Sequence, residues 1–84
     1  MSARKQIAVV VATTALDRTR EALRAAVGLS LRGDAVRVVV TGDPPDDDPD
    51  VRRALGTLRQ LGHAISREPP DSAIRAADAV EVWT

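Results

Sequence analysis

Cysteine, phenylalanine and tyrosine are absent from this 84-residue chain, and it carries one tryptophan, Trp83, and one histidine, His63. Without cysteine there is no disulfide, no thiolate metal ligand and no chemistry that runs through a thiolate or persulfide. Net charge is absent too. Lys plus Arg number 12 and Asp plus Glu number 12, so no overall field draws in nucleic acid or an anionic membrane surface. Long apolar runs are also missing: residues 7–12, IAVVVA, are too few for a membrane span or the apolar region of a signal peptide. A cytoplasmic protein is expected, with no nucleic acid and no membrane among its partners. The shortage of aromatics leaves the core to Val, Leu, Ile and Ala, and a chain of this length is expected to form one domain, residues 1–84. Self-association would relieve so thin a core.

What is present is an alternation of apolar patterns. The β-branched run at 7–12 and its counterpart AVRVVVT at 35–41 have the continuous character of strands covered on both faces of a parallel sheet. Between them, Leu16, Leu23, Val27 and Leu31 can share a stripe of a helix over about 15–32. Thr14 and Asp17 have capping-box-like spacing at its start, and Gly33 sits where a C-terminal cap belongs. Val51, Ala54, Leu55, Leu58 and Leu61 define the apolar face of a second helix that Gly62 ends. HAISR at 63–67 reads as a weak edge strand, 71–78 as a short third helix, and AVEVW at the end as an alternating strand.

This β-α-β-α-β-α-β pattern predicts an α/β fold: three layers, α/β/α, around a four-stranded parallel sheet of order 3-2-1-4. In such a sheet the ligand crevice is expected beyond the carboxyl ends of strands one and four, where the chain reverses direction across the sheet. Thr13, Thr14 and Trp83 are then candidate ligand-binding residues, with Gly42 and Asp43 on the neighbouring lip.

Several segments resemble those of the DsrE/DsrF-like sulfur-relay family. They are IAVVVATTALDRTREALRAAVGLSLRGDAVRVVVTGD, then LGTLRQLGHAIS and AIRAADAVEVW. Members that carry sulfur as a persulfide place a cysteine just after the third strand; here that region reads ISREPPDS, where Ser66 and Glu68 cannot take its place. The resemblance implies a cysteine-free member that assembles as a homo-oligomer, trimer or hexamer, or as a hetero-oligomer with related subunits.

The acidic stretch VTGDPPDDDPD at 40–50 admits three readings: a metal site, a contact for a basic partner, or a solvated connector. A calcium loop needs acidic residues at alternate positions, a turn glycine and a distal glutamate, which two prolines and three consecutive aspartates do not supply. The local reading is better. Asp48 caps the second helix, Pro49 takes its first position, and Asp50 complements the positive end of the helix dipole. His63, at the amino end of the third strand, is far from the crevice and lacks the partners of a general base or metal site. Thr14 is expected to cap the first helix. Trp83 is expected to cover a sheet edge or anchor a subunit contact. No metal, cofactor or catalytic residue is assigned. The leading expectation is a noncatalytic oligomeric subunit or docking partner in sulfur handling. The alternative is a small-ligand module binding a nucleotide or anion in the crevice; an enzyme ranks third.

Overall fold

Residues 4–41, 47–67 and 69–84 are described by the computed structural model. In chain order the elements are β1 (Gln6–Val11), α1 (Leu16–Leu31), β2 (Ala35–Val40), α2 (Pro49–Gln60), β3 (Ala64–Ser66), α3 (Asp71–Ala76) and β4 (Ala79–Trp83). The strands form one sheet of order β3-β2-β1-β4, and every pairing is parallel. The fold class, the alternation and the strand order are those the sequence pattern predicts.

β1 is hydrogen-bonded on both flanks, with Val9 aligned to Val38 of β2 and to Glu81 of β4. Residues Ile7 to Val11 are buried without a break, because both faces are covered. On one face Ile7, Val9 and Val11 join Val36, Val38 and Val40 beneath Ala22, Leu23 and Ala26 of α1 and Val51 and Leu58 of α2. On the other, Ala8 and Val39 meet Ala73 of α3. The two helical layers are unequal. With six residues, α3 leaves Val82 of β4, which shares the face of Val10, 56% exposed. Among the described residues no helix is long and apolar enough to cross a membrane.

Helix ends follow local chemistry. α1 stops at Gly33, whose φ of 99° lies in the left-handed region that favours glycine, while the Asp34 amide returns to the Leu29 carbonyl at 3.2 Å. Gly62, with φ 84°, does the same after α2, and the His63 amide donates to the Leu58 carbonyl at 3.0 Å.

Two expectations about α1 are corrected. Its N-cap is Ala15, with no side-chain capping bond, so Thr14 does not cap it. Instead the Thr13 hydroxyl oxygen accepts the Ala15 amide at 3.0 Å, and the buried Thr19 hydroxyl donates back to the Ala15 carbonyl at 2.9 Å. Leu31, expected in the buried stripe, is 74% exposed. The buried face centres between Leu23 and Ala26, and at 3.6 residues per turn Leu31 points roughly 130° away from it. Leu61, expected on the face of α2, falls beyond its last residue and is exposed.

This burial predicts opposite outcomes for two leucines of one helix. Leu23→Ala should cost about 2–5 kcal/mol in urea-induced unfolding, the range for a buried leucine that leaves a cavity. Leu31→Ala should stay within about 0.5 kcal/mol of the parent.

Candidate functional site

From β1 the chain crosses through α1 to β2 on one flank of the sheet, and from β3 it returns through α3 to β4 on the other flank. α1 and α3 cover opposite faces of the sheet; the β1–α1 connection leaves the carboxyl end of β1, which lies beside the carboxyl end of β4. Backbone pairing continues past the strands there: the Ala12 amide donates to the Trp83 carbonyl at 2.8 Å, and the Thr41 amide to the Val11 carbonyl at 2.9 Å.

Thr13 is buried at this edge, its hydroxyl oxygen already engaged by Ala15, and Thr14 is exposed beside it. The first α-helical bond runs from the Thr19 amide to the Ala15 carbonyl, which leaves the amides of Leu16, Asp17 and Arg18 without intrahelical partners at the positive end of a 16-residue helix. The Asp17 carboxylate is turned into solvent, 93% exposed.

Trp83 packs against the main core, and the Arg18 guanidinium lies over its ring, 4.8 Å from the centroid. Arg18 Nε also donates to the Thr84 carbonyl at 3.2 Å. The indole Nε1 is buried with no acceptor among the described residues, an uncommon condition for a buried donor. Thr13, Thr14 and Trp83 therefore stand at one edge, joined by Arg18, which was not among the candidates from sequence. Gly42 and Asp43, the expected lip, lie outside the described residues. Three cavities bounded by described residues lie elsewhere, between α1 and α2 and on the α3 side of the sheet.

The later part of the acidic stretch is a helix start. Asp48 is the N-cap of α2, its carboxylate accepting the amides of Asp50 at 3.0 Å and Val51 at 3.1 Å, and Pro49 opens the helix. The same carboxylate takes a two-pronged contact from Arg20 of α1, Nη2 at 2.7 Å on one oxygen and Nε at 3.3 Å on the other. Arg20 also approaches Asp50 at 3.6 Å. Its hydrogen bond to Arg20, with the Val51 and Asp50 amides adding to it against the opposing effect of burial, holds the Asp48 carboxyl below its ordinary value of 3.8. The same contact raises the pKa of Arg20. Among the described residues no group of His, Asp and Glu is arranged to hold a metal ion. Residues 43–46 of the expected connector, and Glu68, lie outside the described residues.

No sequence signal points to Arg20, since its partner lies 28 residues away. His63 has a structural part at the opposite end of the sheet, where its Nδ1 accepts the Val36 amide at 3.2 Å.

No protein-family model matches the chain, and no curated protein matches it either. Among solved structures it is similar to a universal stress protein from Archaeoglobus fulgidus, with 25% identity over 92% of this chain and 74% of that one and a TM-score of 0.47. The DsrE/DsrF-like expectation is corrected by these findings, and the sulfur-handling subunit falls with it. The physical reason is that a β-branched strand, an Ala- and Leu-rich helix ending at Gly and a Val-rich strand are what any covered parallel sheet requires. Such a pattern does not separate one open α/β family from another. At its TM-score, the likeness to the stress protein carries no ligand or activity to this chain.

The Asp48 geometry makes a prediction about acid. Because the folded carboxyl binds its proton less readily than the unfolded one, the stabilisation is full above the unfolded value and is lost as the pH falls through the lower folded value. Asp48→Asn keeps a capping oxygen and removes the charge. Thermal melts should show it several degrees less stable than the parent at about pH 7, with the difference closing as the medium is acidified below the unfolded value of 3.8 and through the lower folded value.

Proposed function

We propose that the chain is a small-ligand binding module that takes a phosphate-bearing molecule, a nucleotide or a simpler anion, at the carboxyl ends of β1 and β4. The observation that carries this reading is the contrast between two helix starts at the same edge of the sheet. α2 begins with its amides on Asp48 and that carboxylate matched by Arg20. α1 begins with no side-chain cap among the described residues, and its first amides open at the carboxyl end of β1, beside β4. Backbone N–H groups at the positive end of a helix are suited to phosphate oxygens. Arg18, whose guanidinium also contacts the Glu21 carboxylate at 3.4 Å, adds a cation beside Trp83. In this reading the protein binds and orients; it has no assigned reaction.

Trp83 is the single fluorophore of its kind in the chain and reports directly on this edge. Titration with inorganic phosphate, pyrophosphate, AMP and ATP should give a saturable change in tryptophan emission with at least one of them. Arg18→Gln should weaken that binding about tenfold, the scale of one charge-assisted hydrogen bond. Unchanged emission with all four at millimolar concentration would remove the reading.

A further inference from the structure

A second feature is independent of the crevice. Between α1 and α2 lies a cavity of about 260 Å³ lined by Arg20, Arg24 and Val27 of one helix and Asp50, Arg53 and Ala54 of the other. Each set is a single helical stripe, at spacings of four and then three residues on α1 and of three and then one on α2, so each helix presents one wall. Val27 and Ala54 are partly buried and packed against the core, which makes the floor apolar. Arg24 and Arg53 are exposed, so the cavity opens to solvent.

The three guanidiniums are not equivalent. Arg20 is committed to Asp48 at 2.7 Å. Arg53 has a long contact to Asp50, 3.9 Å. Arg24 has no hydrogen bond or ion pair among the described residues. In a chain whose charges balance, two weakly matched guanidiniums on facing walls of one cavity form a local excess of positive charge above an apolar floor. The planar donor fork of arginine fits the oxygens of a phosphate or carboxylate, and two such forks match a dianion.

We propose that this groove binds a small phosphate monoester, its phosphate between Arg24 and Arg53 and its apolar portion against Val27 and Ala54. Two features set the class. Asp50 puts a carboxylate in the wall, so a ligand with charge at one end is accepted and a polyanion extending along the groove is repelled. The volume, about 260 Å³, accommodates a compact molecule. The arginines of the groove differ from the one at the crevice.

Phenyl phosphate is a suitable probe. Titrated into the folded protein and followed by the side-chain Nε–Hε signals of arginine, it should produce saturable shifts at Arg24 and Arg53. It should bind about tenfold more tightly than inorganic phosphate, since burying a ring on the apolar floor adds a term that phosphate alone lacks. Arg24→Gln and Arg53→Gln should each weaken binding about tenfold. Arg75→Gln, on α3, should leave the shifts at Arg24 and Arg53 unchanged. Arg24 and Arg53 are exposed, so their variants are expected to fold. Shifts that do not saturate, shifts spread equally over all arginines, or an affinity indifferent to Arg24→Gln and Arg53→Gln would overturn the proposal and leave the crevice reading untouched.

Discussion

The burial of β1 between two strands and under helices on both faces is the constraint on which the rest of the molecule depends. With no phenylalanine or tyrosine, the chain has to fill its interior with short side chains, and valine on a pleated, doubly covered strand does this with little loss of side-chain freedom. Residues 7–11 therefore admit no polar interruption. That placement sets the carboxyl ends of β1 and β4 side by side, so Thr13, just past β1, and Trp83, with Arg18 over its ring, stand at one edge. Core and candidate site are consequences of the same strand.

A second constraint sets how the helices sit on that sheet. The fork from Arg20 to Asp48 joins the second turn of α1 to the N-cap of α2. One carboxylate ends two backbone amides and matches a guanidinium from another element, with its side chain only 11% exposed. One turn further along α1, Arg24 has no hydrogen bond or ion pair among the described residues and lines the groove between the helices. The acidic stretch is thus structural at Asp48 and Asp50, where it starts α2 and meets Arg20.

Much of this was legible in the sequence because it rests on period. The β-branched runs at 7–12 and 35–41 could be buried only as central strands, and the order 3-2-1-4 followed from them. Asp48, Pro49 and Asp50 carry local signals that need no tertiary context. What was misread rests on geometry that a stripe or spacing does not contain. Thr14 has the spacing of a cap, yet the turn is closed by Thr13 one residue earlier. Leu31 belongs to an apolar series, yet the small residues Ala22 and Ala26 let α1 approach the sheet on a face turned away from it. Arg20 has no signal at all because its partner is brought in by the fold. The DsrE/DsrF-like resemblance failed for a related reason: it was carried by residue types that the architecture demands, and not by a site.

The central claim is that the open start of α1, set against β1 and β4, is where this protein holds an anionic ligand. Residue-resolved amide spectra recorded during a titration with pyrophosphate test it most directly. The account predicts the largest saturable shifts at the amides of Leu16, Asp17 and Arg18 and at the indole N–H of Trp83. Spectra in which those signals stay still while the ligand is at saturating concentration, or in which no signal responds, would contradict it.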